Sequence, residues 1–119
     1  MNPPDRDSLC DMVLAAEAAL RFLGSQSLDE FMGDDKTQSA VLHQLLVLGE
    51  ACNRLSPSLC QAHPQVPWGE IARTRDKLIH HYEEVDPRRL WQIVAHDLPL
   101  MLPVLQRLMP PDEQGMAPP

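Results

Sequence analysis

Hydrophobic residues recur at intervals of three and four along most of this chain, and this spacing brings side chains onto one face of an α-helix. The first such stretch covers residues 6–23, and Asp5 or Asp7 is available to cap it. Residues 24–35 contain two glycines and several small or acidic residues. We therefore predict a loop there that includes one helical turn.

Two further helices are predicted in the middle of the chain. The second has Thr37 as its cap and ends at about Leu55, because the following Ser56-Pro57 dipeptide disfavours helix. A connector with two prolines comes next. Pro67 suits the first position of a third helix, which covers about residues 68–82.

The fourth predicted helix has the clearest start, because Asp86 suits the cap and Pro87 the first helical position. Its hydrophobic period continues to Leu108, although Pro99 and Pro103 each remove a backbone donor and should bend or break the helix. Residues 110–119 are rich in proline and have nothing to bury. We expect a disordered tail there and a single helical domain at 1–109.

Together these stretches predict an all-α protein, an antiparallel bundle of four to five helices. Hydrophobic residues make up 44% of the chain, but aromatic residues only 4%, so aliphatic side chains must fill the core. The cysteines lack Cys-x-x-Cys spacing, and no metal or other cofactor is expected. No apolar stretch approaches the roughly 20 residues that cross a bilayer, and no secretory pattern is present. We expect a cytoplasmic protein without membrane contact.

The net charge of −7 gives the chain no general attraction to nucleic acid, so contact with RNA requires a local basic patch. The third helix provides one, with a concentration of chemically active side chains: Arg73, Arg75, Asp76, Lys77, His80, His81 and Tyr82. Arginine binds phosphate oxygens through its planar fork, and histidine exchanges protons near neutral pH. The combination suits phosphoester cleavage. The alternative is an ordinary solvated helix face with two histidines near the C-terminal dipole.

The order of these residues resembles a known signature. Arg75-Asp-Lys-Leu-Ile-His80-His-Tyr82 is similar to the Arg-x-x-x-x-His-x-Tyr motif of HepT-like toxins of the HEPN superfamily. The resemblance covers roughly residues 6–108 and includes further landmarks in order: Leu48-Gly49-Glu50-Ala51, Trp68 with Ile71, Val85-Asp86, Leu90-Trp91 and Asp97-Leu98-Pro99. Three positions depart from the family, which usually has Gly, Met and Asn where this chain has Arg73, Thr74 and Asp76.

The resemblance implies a ribonuclease toxin with a HEPN-like fold that acts as a homodimer, with its motifs at the interface. It implies that Arg75 and His80 are catalytic residues for metal-independent RNA cleavage, in which a ribose 2′-hydroxyl attacks the phosphate and a cyclic phosphate forms. It also implies a partner, a minimal nucleotidyltransferase antitoxin that transfers AMP to Tyr82. The same tyrosine is expected to help position the substrate.

Neighbouring residues are candidates for supporting roles. Asp76 precedes His80 by four residues and can accept a hydrogen bond from its imidazole, or be an ordinary surface carboxylate. Glu50 either orients an arginine of the motif or closes a buried ion pair. Arg73 and Lys77 are candidate RNA contacts.

Helix geometry bears on the oligomeric state. At about 100° per residue, Arg75 and Tyr82 lie nearly in line, whereas His80 lies about 140° round from Arg75. Either the helix unwinds near His80, or two copies meet across a two-fold axis and share their sites. Two other functions stay open: a non-catalytic HEPN module that binds nucleotide or a nucleotidyltransferase partner, and a purely structural dimeric bundle.

Overall fold

The computed structural model describes residues 1–110. Its helices are α1 (Pro3–Leu23), α2 (Leu28–Met32), α3 (Asp35–Asn53), α4 (Pro57–Ala62), α5 (Trp68–His80), α6 (Pro87–Gln92) and α7 (Leu98–Leu108). A 3-10 turn (Tyr82–Glu84) follows α5, and a π turn (Ile93–Asp97) joins α6 to α7. Residues 1–110 contain no strand, so the predicted all-α fold is confirmed. From residue 111 onward, the predicted tail lies outside the described residues.

The core lies around α1 and α3, which form the most extensive helix pair. The two run antiparallel, because Asp11 in the first half of α1 bonds Arg54 at the end of α3, with 3.2 Å between oxygen and nitrogen. α7 packs on α1, and α5 packs on α3. The largest fully buried side chains are mostly aliphatic, as the composition predicts: Phe31, Leu9, Met12, Leu98, Leu105, Val41 and Val94.

Two helix caps differ from the prediction. Asn2 caps α1 in place of Asp5 or Asp7, since its Oδ1 accepts the backbone N–H of Asp5 at 2.7 Å. Asp34 caps α3 in place of Thr37, and its carboxylate accepts both the backbone N–H and the hydroxyl of Thr37, at 3.0 and 2.6 Å. Because the carboxylate precedes Thr37, α3 begins earlier than predicted. These bonds lower the pKa of Asp34 to about 2.

The two connectors are more helical than predicted. α2 lies within the predicted loop, where Ser27 and Glu30 satisfy each other's backbone N–H groups in a capping box. The Ser56-Pro57 dipeptide begins α4 rather than merely following α3, because Ser56 caps the first turn and Pro57 fits its first position.

A buried carboxylate joins the start of α1 to the start of α4. Asp5 is 4% exposed and accepts hydrogen bonds from the backbone N–H of Ser56 at 2.8 Å and from its hydroxyl at 2.6 Å. Both bonds favour the ionised carboxylate and hold the pKa of Asp5 below its ordinary value of 3.8.

Of the two effects predicted for Pro99 and Pro103, a bend or a break, the structure shows no break, because the chain stays helical to Leu108 with a π turn just before Pro99. Proline lacks a backbone N–H, and its ring meets the carbonyl of the residue four positions before it. In the π turn the N–H of Leu98 bonds the carbonyl of Ile93, one residue further back than in an α-helix. This wider turn accommodates the ring of Pro99, and the helix continues into α7.

Candidate active site

The site is built on a close approach of α3 and α5, at which Arg75 crosses Gly49. A Cβ atom added at Gly49 would overlap the Cβ of Arg75 and lie 2.8 Å from its Cγ. Glycine is therefore required here for space and not for its backbone conformation, since its φ angle lies in the ordinary helical region. The contact fixes the stem of Arg75 against α3.

The guanidinium of Arg75 is held by two carboxylates. Its Nη2 donates to Oε2 of Glu50 at 2.8 Å, and its Nη1 donates to Oδ1 of Asp76 at 3.2 Å. The Arg75 side chain is only 25% exposed, while both carboxylates are more than half exposed. Its buried Nε has no hydrogen-bond partner among the described residues. Arg75 is thus oriented on two sides, and part of its donor capacity is still free.

Glu50 and Asp76 both contact the motif arginine. Glu50 forms an ion pair with Arg75, and this pair is not buried, because the Glu50 side chain is 51% exposed. Asp76 accepts a hydrogen bond from Arg75, and the Asp76–His80 hydrogen bond that was one of its two alternatives is not formed within residues 1–110. Asp76 adjoins Arg75 in sequence and reaches it across the surface of α5.

His80 and Tyr82 lie at the exposed end of α5. The helix ends at His80, since His81 leaves helical geometry with a φ of −132°. Tyr82 begins the 3-10 turn and is 64% exposed. The predicted alignment of Arg75 with Tyr82 along one continuous helix is therefore wrong. Neither His80 nor Tyr82 makes a hydrogen bond to Arg75 within the described part of the chain.

A small open cavity of about 420 Å³ adjoins the Arg75 guanidinium. It is lined by residues of α3 and α5, together with the cap of α3: His43, Leu46, Val47, Glu50, Arg54, Arg75 and Ile79. Ile79 is 42% exposed although it is apolar. This face of the molecule combines fixed charges with uncovered apolar surface.

A larger cleft of about 1020 Å³ lies on the opposite flank of α5, between that helix and the α6–α7 segment. Arg73 and Lys77, the candidate RNA contacts, line it together with His81. The structure thus divides the motif helix: Arg75 faces one flank, whereas Arg73 and Lys77 face the other. His80 lines neither cavity.

Neither a metal centre nor a membrane span emerges from the described residues. In residues 1–110, no three or more His, Cys, Asp or Glu side chains are grouped so that they could hold a metal ion. Within the same range, no helix is both long enough and apolar enough to cross a membrane.

Comparison with known proteins assigns the chain to a family. The all-helical fold is compatible with a HEPN-like bundle, and residues 12–108 match the family described as Ribonuclease HepT-like. A protein of Thermococcus cleftensis named "Probable ribonuclease HepT" is 38% identical over 108 residues, which cover 91% of this chain and 98% of that protein. One of Methanocaldococcus jannaschii named "Putative RNase MJ0127" is 40% identical over 94 residues, covering 79% and 78%. No solved structure matches the chain.

The chain therefore belongs to the HepT-like ribonuclease family, and the resemblance inferred from its motifs is confirmed. This places it in the ribonuclease class of enzymes, with RNA as the class of substrate.

Two features of the site were not predicted from the sequence. The cavity beside Arg75 includes His43 and Arg54 of the α3 segment, which carry no recognisable motif. The cleft beside Lys77 depends on the path of α6 and α7. Gly49 was signalled in part, since a glycine inside an amphipathic helix next to Glu50 indicates close packing.

Proposed function

We propose that this chain is the toxin of a toxin–antitoxin pair, a metal-independent endoribonuclease that acts as a homodimer in the cytoplasm. The observation that carries the proposal is the fixed guanidinium of Arg75: the side chain lies over Gly49, and Glu50 binds its guanidinium. Arg75 precedes the exposed His80 by five residues, the spacing of the matching motif. A preoriented guanidinium stabilises the charge that develops on a phosphate during cleavage.

The proposed reaction needs an acid–base group and an electrostatic one. The ribose 2′-oxygen forms a bond to phosphorus while the bond from phosphorus to the 5′-oxygen breaks. His80 accepts the proton of the 2′-hydroxyl, and the 5′-oxygen takes up a proton from an imidazolium or water. Arg75 stabilises the phosphorane oxygens, and Tyr82 helps to position the strand. The products are a 2′,3′-cyclic phosphate and a 5′-hydroxyl.

The directions of Arg75 and His80 support the proposed homodimer. The two residues lie about 140° apart around α5, and Glu50 draws the guanidinium toward α3. A second copy can bring its own His80 to Arg75, so that each site uses both chains. The uncovered Ile79 beside Arg75 supports a contact on this side of α5.

The proposed regulation acts on Tyr82. A nucleotidyltransferase antitoxin would join the phenolic oxygen of Tyr82 to the α-phosphorus of ATP, with loss of the phenolic proton and release of pyrophosphate. The exposure of this side chain supports the assignment. The attached nucleotide would occupy the phosphate site and repel RNA. Tyr82 is the only tyrosine in the chain, so label on a Tyr82→Phe protein would contradict the assignment.

A second function is favoured by one specific observation. Both terminal nitrogens of Arg75 already bond carboxylates, which compete with an incoming phosphate, and the chain carries a net charge of −7. A non-catalytic module that binds nucleotide or a nucleotidyltransferase partner would show both features.

Cleavage of labelled RNA in the presence of EDTA tests the nuclease. The wild type is compared with Arg75→Ala and His80→Ala, each with a verified helical fold, and with Lys36→Gln as a surface control away from the motif. Cleavage by the wild type and the control alone supports the proposal. Binding without cleavage by every protein, over a broad RNA panel, supports the non-catalytic module.

A further inference from the structure

The cleft on the far flank of α5 is the larger of the two cavities described above, and the proposed cleavage chemistry does not use it. Its floor is apolar and contains buried side chains from four helices: Leu45, Leu48, Ile71, Leu78, Leu90 and Leu98. Leu100 of α7 also lines the cleft and is 78% exposed. A cleft that combines an apolar surface with polar and charged groups is typical of a binding site.

One wall of the cleft carries a row of positive and titratable groups. Arg73 and Lys77 are four residues apart, so they lie along one face of α5 with their Cβ atoms about 6 Å apart, and His81 lines the cleft just beyond the end of the helix. A Cβ atom added at Gly69 would be 3.2 Å from Nη1 of Arg73, which shows that this guanidinium extends along the helix toward its start. The row therefore runs along most of the length of α5, a track suited to successive phosphates of one strand.

Four carboxylates also line the cleft, those of Glu70, Glu84, Asp86 and Asp97, and two of them have partners of their own. Asp97 lies 3.7 Å from Nη1 of Arg89, and Asp86 accepts the backbone N–H of Arg88 at 3.0 Å. Glu84 lines the cleft from the turn that follows α5, and its carboxylate makes no hydrogen bond within residues 1–110. An ionised carboxylate accepts hydrogen bonds from the amino group of cytosine.

We propose that this cleft, on the flank of α5 opposite Arg75, binds a single-stranded segment of the RNA substrate, with phosphates on Arg73, Lys77 and His81 and a base on the apolar floor, its amino group toward Glu84. Single-stranded RNA is commonly read in this way, through unstacked bases in apolar surroundings and contacts to their edges. The inference rests on the proposed function and extends it to the choice of base at the site.

The test measures binding separately from cleavage. Short fluorescein-labelled 2′-O-methyl oligocytidine and oligouridine lack the attacking hydroxyl, so fluorescence anisotropy reports affinity even if the chain cleaves nothing. Lys77→Gln, Leu100→Glu and Glu84→Gln are compared with the wild type. Lys36→Gln and Leu14→Glu are matched controls, because they change an exposed lysine of α3 and an exposed leucine of α1.

Each variant has its own expected result. The wild type should prefer oligocytidine by about fivefold, and Glu84→Gln should remove that preference. Lys77→Gln should weaken the binding of both oligonucleotides and reduce the slope of log affinity against log salt concentration by about 0.7. Leu100→Glu should weaken both by about tenfold. Both controls should bind as the wild type does.

The inference would be overturned if Lys77→Gln and Leu100→Glu bound the oligonucleotides as tightly as the wild type does. It would also be overturned if the wild type bound oligocytidine and oligouridine equally. Light scattering on the same samples tests a second copy as occupant, since conversion of a dimer to a monomer by Leu100→Glu would also overturn it. If the wild type and the cleft variants cleave natural RNA equally and with the same base preference, the proposal that the cleft binds RNA is wrong, whereas the proposed ribonuclease activity is supported. If the wild type cleaves no RNA, the anisotropy measurements still determine whether the cleft binds RNA.

Discussion

The aliphatic stem of Arg75 lies directly against the backbone of Gly49, where any side chain would overlap it. The two residues belong to different helices, α3 and α5. The same two helices are joined by the ion pair in which Arg75 donates to Glu50, 25 positions away in the sequence. A glycine costs helix stability, about 0.5–1 kcal/mol relative to alanine. At this position the cost is offset by the approach that places the guanidinium beside Glu50.

Gly49→Ala should destabilise the protein and reduce RNA cleavage together. Alanine improves helix propensity, but relieving its overlap with Arg75 must move α5 away from α3, at about 1–3 kcal/mol. The overlap term is the larger, so urea unfolding should show a net loss of about 1–2 kcal/mol. Gly33→Ala is the control, since a Cβ there would lie 3.8 Å from the nearest atom, in ordinary contact. Equal stability of the two variants would show that the approach is not tightly constrained.

Glu50→Gln tests whether this carboxylate orients Arg75 for catalysis. Glutamine keeps an acceptor oxygen but loses the charge, so the guanidinium should be held less firmly and kcat should fall about tenfold with little change in KM. Asp11→Asn is the control, because it removes the charge from another exposed carboxylate–arginine pair, Asp11–Arg54. A lower KM with unchanged kcat would instead show that Glu50 competes with the substrate phosphate for Arg75.

The sequence predicted the elements that rest on strong local signals. Asp86-Pro87 marks the start of α6 in both the prediction and the structure, because a capping carboxylate and a proline in the first turn act through neighbouring residues. Thr37 was a wrong cap, although the residue that replaces it is only three positions away. The Thr37 hydroxyl is a good capping group, but the carboxylate of Asp34 accepts both Thr37 donors.

Features that depend on packing between distant segments could not be predicted in the same way. From the sequence, Glu50 could either orient an arginine of the motif or close a buried ion pair. Its contact with Arg75 depends on the packing of α5 against α3 at Gly49, which the sequence does not specify. The end of α5 at His80 has no proline or glycine to signal it. The cleft beside Lys77 is formed by α7, whose path depends on the π turn before Pro99.

Acid unfolding should depend on Asp5. Its pKa is lowered in the folded state by its bonds to Ser56, so its contribution to stability is present above its unfolded pKa, near 3.8, and is lost as the pH falls below that value. Asp34 acts in the same direction, with a folded pKa of about 2. Asp5→Ala should cost about 2 kcal/mol at neutral pH, because it leaves the Ser56 N–H and hydroxyl without their partner.

Urea unfolding at pH 7 and at pH 3 provides the measurement. The wild type should lose more stability between these pH values than Asp5→Ala does, because the variant has no carboxylate to protonate at that position. Asp29→Ala, which changes an exposed carboxylate in the first turn of α2, is the control and should follow the wild type. An equal loss in wild type and Asp5→Ala would assign the acid sensitivity to other groups.

Mixing two inactive proteins tests whether each site uses both chains. If Arg75 of one chain works with His80 of its partner, a mixed dimer of Arg75→Ala and His80→Ala chains contains one intact site and one doubly defective site. Random exchange makes half of the dimers mixed, so the mixture should recover about a quarter of wild-type cleavage. A mixture of Arg75→Ala with the Arg75→Ala/His80→Ala double variant is the control and should stay inactive. Native mass spectrometry establishes that mixed dimers form. Mixed dimers without activity would mean that Arg75 and His80 of the same chain must act together, and that α5 must rearrange near His80 when RNA binds.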